Sequence, residues 1–310
     1  MYDLETEKVI NKIKEVLKIK ENPKIVVQAP EGIKNLVVNE IEKIKKLLNV
    51  DIFLYIGSCF GACDIPKIDY DLLVHYGHEP LSYIKYKNVL FIPAFRKFNE
   101  EEKKRIIKDI EEYTKDKDVE IATTIQYKKL LETFNPKIIL GCRANLEDRE
   151  EILFVGNGRF HPLILSYKYK KDITIYNPEI KKFDKIGKEE SYKFIKRRLT
   201  AISKLFFNKP KKVGVILIDK VGQRRIKVFN SIINELKKNK IGYIKMIVDT
   251  LTPELLYYDV DCYIVVGCPR IVLDDYIRYN KPIYTPKEFL MYLNNNLEKY
   301  ILDEITEKDF

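Results

Sequence analysis

In three places along this chain a cysteine follows an apolar run and sits in a turn marked by glycine. Residues 53–56 lead into Gly57-Ser58-Cys59-Phe60-Gly61-Ala62-Cys63-Asp64, residues 137–140 into Gly141-Cys142-Arg143, and residues 263–266 into Gly267-Cys268-Pro269-Arg270. Thiolates are soft ligands suited to iron or zinc. Cys63 and Cys142 are 79 residues apart and Cys142 and Cys268 are 126 apart, which excludes a local zinc knuckle or a ferredoxin-type run. The pattern implies three similar α/β units, each offering one thiolate to a shared centre where the units meet. Four thiolates would close a cluster or a zinc site, whereas three would leave one iron of a four-iron cluster open to bind and activate a molecule. The first turn holds two candidates. Gly61 and Ala62 allow close backbone approach before Cys63, and Asp64-Ile65-Pro66 opens a turn or helix after it, which favours Cys63 over Cys59. Cys262 begins the strand that Cys268 follows; at ~3.3 Å per residue it lies roughly 20 Å away and reads as core.

Thiols so distant in sequence need a scaffold that returns the chain to one place. Val9, Ile10, Ile13, Val16 and Leu17 form a helical stripe within 4–20. The first unit continues with a β-branched strand at 24–28, a helix at 33–48 and strands at 51–56 and 70–75. The pattern restarts with a strand at 88–93, a charged helix at 99–113, a strand at 120–124 and a short helix at 127–134. Strands at 137–140, 151–155 and 173–176 complete that unit. A long polar helix, 188–207, runs to Asn208-Lys209-Pro210 and reads as the linker. The third unit has strands at 212–218, 243–248 and 262–266 and a helix at 226–238, and its Pro282-Ile283-Tyr284-Thr285-Pro286 echoes Ile175-Tyr176-Asn177-Pro178. This order predicts an α/β fold of three related domains with small parallel sheets, divided as 1–87, 88–187 and 188–310. In open α/β sheets the chemistry gathers at the carboxyl ends of the strands, where all these turns fall.

Composition narrows the function classes. Of 310 residues, 45% are hydrophobic and 33% charged, which is globular rather than disordered. No apolar stretch approaches the roughly 18 residues that span a bilayer. Met1-Tyr2-Asp3-Leu4-Glu5 lacks the order of a signal peptide, so the expected location is cytoplasmic. Five cysteines, an odd number without a disulfide-like spacing, suit free, metal-bound or catalytic thiols in a reducing compartment. The net charge of +10 would suit an acidic partner. The mixing of Lys with Glu and the scarcity of Gln favour a solvated, heat-adapted surface instead.

Four motifs taken in order, Gly61-Ala62-Cys63-Asp64, 71–78 (Asp71-Leu72-Leu73-Val74-His75-Tyr76-Gly77-His78), 156–162 (Gly156-Asn157-Gly158-Arg159-Phe160-His161-Pro162) and Gly267-Cys268-Pro269-Arg270-Ile271, resemble the archaeal diphthamide-synthesis enzyme family over about 24–286. The resemblance implies three α/β domains arranged around a central [4Fe-4S] cluster held by Cys63, Cys142 and Cys268. Cys59 is an extra thiol that departs from the family pattern. It further implies S-adenosylmethionine as co-substrate, cleaved by an electron from the cluster between sulfur and the γ-carbon. The 3-amino-3-carboxypropyl group then goes to a histidine of translation elongation factor 2, with methylthioadenosine as by-product. An electron donor and a homodimer, whose second copy would enlarge the docking face, complete the expected partners. The local Cys-x3-Cys-x2-Cys run of the usual radical route is absent.

Under that resemblance the other strand-end turns become candidate cofactor contacts. Glu31 and Gly32 after Pro30, and Gly156 and Gly158 around Asn157, offer backbone N–H groups to a carboxylate or ribose. Gln223 beside Gly222 would read polar edges of the cofactor, and His161 would line its pocket. Each of these also reads as an ordinary tight turn. Arg143 and Arg270 would steady negative charge near the thiolates. His75 and His78, with Glu79 beside them, have the residue types of a metal site, yet read as a folding pair. The rivals are a quinolinate synthase-like [4Fe-4S] dehydratase, a non-catalytic partner subunit, and a basic RNA-binding scaffold, for which no Lys/Arg-aromatic module stands out.

Overall fold

A computed structural model describes residues 1–139 and 145–310. The strand β1 (Tyr2–Asp3) opens the chain and is followed by helix α1 (Thr6–Leu17), which buries Val9 and Ile13 as its stripe predicts. Four parallel strands then form the first sheet: β2 (Ile25–Gln28), β3 (Ile52–Leu54), β4 (Leu72–Tyr76) and β5 (Val89–Ile92), in spatial order β3-β2-β4-β5. Between β2 and β3 lies α2 (Lys34–Leu48), which packs Val37, Ile41 and Ile44 on the sheet. It stops at Asn49, in the left-handed conformation that asparagine tolerates. Strand β6 (Phe95–Arg96) returns to pair with β1.

The second sheet follows α3 (Glu100–Thr114), whose start is fixed by a capping box between Asn99 and Glu102 and by three acidic residues in its first turn. Its strands are β7 (Val119–Thr123), β8 (Lys137–Ile138), β9 (Glu151–Val155), β10 (Ile173–Asn177) and β11 (Lys182–Ile186), with helix α4 (Phe160–Tyr169) crossing over from β9 to β10. The order is β8-β7-β9-β10-β11, parallel except for the last. After α5 (Lys188–Phe207), the third sheet holds β12 (Lys212–Ile218), β13 (Gly242–Val248), β14 (Cys262–Val266) and β15 (Ile283–Tyr284), all parallel in the order β13-β12-β14-β15. Helices α6 (Ile226–Lys238), α7 (Arg270–Leu273) and α8 (Pro286–Leu293) accompany it.

Each sheet therefore repeats one plan: its first strand is central, the second lies on one side, and the third and fourth follow on the other. A glycine stands directly after every third strand, at Gly77, Gly156 and Gly267. The repeat also exposes an inequality. Cys59 and Cys63 follow the second strand of sheet one, whereas Cys268 follows the third strand of sheet three.

Several expectations change. The strand Val89–Ile92 pairs with β4, so the division at 87/88 cuts through the first sheet. Sheets one and two lie in one compact unit, and the second unit takes up the chain from Gly187 onward. Helix α5 is not a bare linker. It buries Ile195, Ile202 and Leu205, and its buried Arg198 pairs with Glu288 of α8 at 2.8 Å. Residues 127–134 form 3₁₀ turns, Ile125–Tyr127 and Lys129–Phe134, instead of an α-helix, ended by Asn135 in a left-handed conformation just before Pro136. The turn read at 156–162 runs on into α4, whose Pro162 lies in the first turn, where no N–H is needed.

Candidate functional site

The end of β2 supplies the residue that organises the first cysteine turn. Gln28 is buried, and its side-chain amide donates to the Ser58 and Asp64 carbonyls at 2.9 and 2.8 Å. Asp64 in turn accepts the Phe60 N–H at 3.1 Å through its carboxylate, and its own N–H donates to the Gly61 carbonyl at 2.9 Å. Tyr86 donates its hydroxyl to the Ala62 carbonyl at 3.0 Å. The backbone on both sides of Cys63 is thus tied down, while its side chain is only half-buried. Cys59 is buried on the other side of the turn, with Sγ 3.9 Å from His75 Nε2.

His75 lies opposite Gln28 in the β2–β4 register, and its Nδ1 is 2.9 Å from Gln28 Oε1. His75 Nε2 is 2.9 Å from His78 Nδ1. Between them Gly77 has φ +87°, and a Cβ there would meet Pro30 at 2.8 Å, so the turn requires glycine on both counts. Burial holds both imidazoles in the neutral form. His75 is driven well below the ordinary histidine range, with the neighbouring His78 adding to the effect, and His78 falls to about 4 although Asp64 works against the shift. Sequence reading takes His75 and His78 as a pair apart from Cys59; pairing of β2 with both β3 and β4 is what brings Cys59 to them.

In the second compact unit, Cys268 follows β14 and is half-buried. Its N–H donates to Gln223 Oε1 at 3.3 Å. Gln223, expected to read polar edges of the cofactor, is buried, and its amide oxygen accepts from the backbone of the cysteine turn. Gly267 cannot carry a side chain, because a Cβ would overlap Ile218 of β12. Behind the turn, buried Arg225 reaches the Gly267 carbonyl at 3.4 Å. Arg270 is engaged by Asp274 at 2.7 Å. Cys262 is 1% exposed in β14 and burial pushes its thiol up to about 12, which keeps it protonated and in the core. Cys142 and Arg143 lie outside the described residues.

The remaining candidates occupy strand ends in differing ways. Glu31 and Gly32 are exposed in a single 3₁₀ turn after β2, with Glu31 paired to Lys34, which also donates to the Ile56 and Gly57 carbonyls at 3.2 and 3.3 Å. Gly156 is buried and donates its N–H to the Tyr176 carbonyl at 2.9 Å, whereas Asn157 and Gly158 are exposed. His161 opens α4 and packs its ring 5.9 Å from that of Phe154.

The chain's three glutamines, Gln28, Gln126 and Gln223, all lie at or just past the end of the first strand of a sheet. Gln126 Nε2 donates to the Gly77 carbonyl at 2.8 Å. Each glutamine therefore holds the backbone of a strand-end turn. Cys63 in the first unit and Cys268 in the second each offer a half-buried thiol, outside any disulfide, on a braced turn at the carboxyl end of a parallel sheet, and thiols of this kind are the donors that iron–sulfur clusters use.

Residues 29–301 match the family model for diphthamide synthesis proteins. A 2-(3-amino-3-carboxypropyl)histidine synthase of Methanocaldococcus jannaschii is 53% identical, the alignment covering 100% of this chain and 95% of that protein. The enzyme of that name from Pyrococcus horikoshii is 30% identical, over 91% and 89% of the two chains. Among solved structures, Dph2 from Pyrococcus horikoshii aligns with a TM-score of 0.79 at 27% identity, covering 98% of this chain and 95% of the other. The same protein with a 4Fe-4S cluster aligns with a TM-score of 0.77 at 28% identity and the same coverage.

Proposed function

This chain belongs to the diphthamide-synthesis protein family and is an enzyme of the 2-(3-amino-3-carboxypropyl)histidine synthase group, and we propose that it transfers the 3-amino-3-carboxypropyl group of S-adenosylmethionine to one histidine of translation elongation factor 2. The observation that carries this reading is the bracing of Cys63 and Cys268. Each stands at a parallel-sheet carboxyl end in a turn held by a buried glutamine, Gln28 for the first and Gln223 for the second.

Cys63, Cys142 and Cys268 are the residues that would hold a [4Fe-4S] cluster. When bound, such a cluster with one iron free of protein thiolate supplies the electron that breaks a sulfonium carbon–sulfur bond. The chain's own residues do the positioning. Gln28, Tyr86 and Gln223 fix the thiol turns, so that little side-chain or backbone freedom remains to be lost on ligation. The exposed backbone at Glu31, Gly32 and Gly158, with the buried Gly156 N–H already used by Tyr176, leaves the first three as contacts for the carboxylate or ribose of the co-substrate. His161, at the start of α4, lines that pocket. An organisation into three α/β domains, the first carried on through Val89–Ile92, a cytoplasmic site of action, an external electron donor and a homodimer that broadens the docking face all belong to this reading. Among the described residues no helix is long and apolar enough to cross a membrane.

The test is anaerobic reconstitution followed by incubation with reductant, labelled S-adenosylmethionine and elongation factor 2. Methylthioadenosine should form, and label should enter one histidine and no factor lacking it. Cys63→Ala, Cys142→Ala and Cys268→Ala should each lose the brown cluster absorption. 5′-Deoxyadenosine as the main product would overturn the bond assignment, and quinolinate formation from small precursors would replace the function.

A further inference from the structure

The transfer chemistry leaves Cys59, His75 and His78 unused. In the first sheet His75 stands two residues before the glycine that ends the third strand. The same position is Phe154 in the second sheet and Val265 in the third, both buried in apolar cores. The repeated plan therefore accepts a plain hydrophobic residue there. A fully buried imidazole costs desolvation that the fold itself does not require.

We propose that Cys59, His75 and His78 form a second metal centre, a Zn²⁺ site of one thiolate and two imidazoles, which clamps the cysteine turn of residues 58–64 to the end of β4. The three ligand atoms lie within 4.8 Å of one another. Tetrahedral zinc, with bonds of about 2.0–2.3 Å, sets its ligand atoms roughly 3.3–3.6 Å apart. The observed separations of 3.9 Å from Cys59 Sγ to His75 Nε2 and 2.9 Å from His75 Nε2 to His78 Nδ1 bracket that range. Zinc matches the donors: imidazole and thiolate suit a borderline cation, and a hard ion such as Mg²⁺ would want oxygen.

Gln28 decides which nitrogen of His75 is available. Its NH₂ group is spent on the Ser58 and Asp64 carbonyls, so the atom facing His75 is the amide oxygen, an acceptor. His75 Nδ1 must then carry the proton and donate it to Gln28. The Nε2 lone pair is left facing Cys59 and His78. A histidine that donates its far N–H to a fixed acceptor is the usual support of a metal-bound imidazole. Without metal, His78 Nδ1–H donates to that lone pair; with metal, His78 takes the other tautomer and both nitrogens face the ion. Buried Asp64, at the end of the same turn, adds negative charge that balances a divalent cation among two neutral rings. The proposed site uses residues of one compact unit and leaves Cys63 outside its ligand set.

The test is zinc content by mass spectrometry, with iron measured in the same samples, on reconstituted enzyme equilibrated with micromolar Zn²⁺ and desalted. Wild type should hold about one zinc per chain. His75→Phe, which copies the second sheet, and Cys59→Ser should each lose it roughly tenfold or more, and Gln28→Leu should bind it ~10–100-fold more weakly. Cobalt substitution gives a readout a merely structural role would not move: a thiolate-to-cobalt charge-transfer band in wild type, absent in Cys59→Ser. Zinc content unchanged in His75→Phe and Cys59→Ser, or no zinc in wild type, overturns the proposal. Because the readout is the zinc difference between wild type and these variants, it is decided whether or not the iron–sulfur cluster assembles.

Discussion

Arg225 should be among the most costly single residues to remove from the second compact unit. It is 2% exposed, and all five of its N–H donors are used. Two go to Asp303 at 2.8 and 2.9 Å, and Nε goes to Asp309 at 2.8 Å. The remaining two reach the carbonyls of Glu304 at 3.2 Å and Gly267 at 3.4 Å. Arg225→Met keeps the apolar stem but leaves the buried Asp303 and Asp309 carboxylates without their cation. Breaking a buried pair from one side costs about 3–5 kcal/mol, which at ~3 °C per kcal/mol lowers the thermal midpoint by roughly 10–15 °C. Arg225→Lys should recover only part of this, because a single ammonium cannot replace the fork. Pairing Arg225→Met with Asp303→Leu should recover more, since one of the two stranded charges, the more deeply buried one, goes with it. Gly267 immediately precedes Cys268, so iron per chain after reconstitution should fall along with stability. Thermal unfolding followed by circular dichroism, together with an iron assay, measures both. A loss below about 1 kcal/mol, the level of an exposed ion pair, would refute the reasoning that burial makes this network costly to break.

Acidification should destabilise the metal-free protein through its histidine pair. His78 is depressed to about 4 and His75 also lies low, so the unfolded chain binds more protons between that value and the ordinary 6.5; the contribution is complete above pH 6.5 and drains as pH falls. His78 alone should cost ~2 kcal/mol by pH 5, and a thermal midpoint that does not drop between pH 7 and 5 would contradict this. Cys262, with its thiol pushed up to about 12, should resist iodoacetamide in the folded apo-protein while Cys63 and Cys268 react, and Cys262→Ala should keep its iron; comparable alkylation of all three would count against the core assignment. Gly267→Ala should lower both the thermal midpoint and the iron per chain through its clash with Ile218, and Ile218→Ala should not restore them, because the Ile218 Cβ itself would lie 2.6 Å from the added methyl.

Much of the scaffold was legible because its signals are local. The β-branched run of β2, the amphipathic stripes of α1 and α2 and the long helix α5 all fall where periodicity puts them. Helix α4 escaped because it is apolar on most faces and so lacks a 3.6-residue stripe, and Pro162 near its start resembles a breaker. Helix α7 is a single turn and α8 starts on a proline, although the Thr285–Glu288 capping box was a readable start signal. The cysteine turns looked alike because each combines an apolar run, glycine and a thiol. Strand order separates them: the first follows a second strand and the last a third strand, and no local pattern encodes that difference.

The site was legible only where one residue type sufficed. Cysteines announce themselves, but the residues that brace them do not, because Gln28 meets the 58–64 turn and His75 only once β2 has paired with both β3 and β4. A usable signal was nevertheless present in the composition. Glutamine occurs three times in 310 residues, and each copy falls at or beyond the end of a first strand. A residue scarce everywhere on the surface and kept at three topologically matched positions is serving those positions. Its chemistry explains why: a side-chain amide both donates and accepts, so one buried group can bind backbone carbonyls of a turn and also fix a neighbouring N–H. Gln28 does this for two carbonyls and one imidazole, and Gln223 does it for the backbone of Cys268. Replacing either with glutamate would remove the donors and bury a charge, whereas leucine would leave the turn groups unpaired. The thiol turns therefore depend on these amides for their shape.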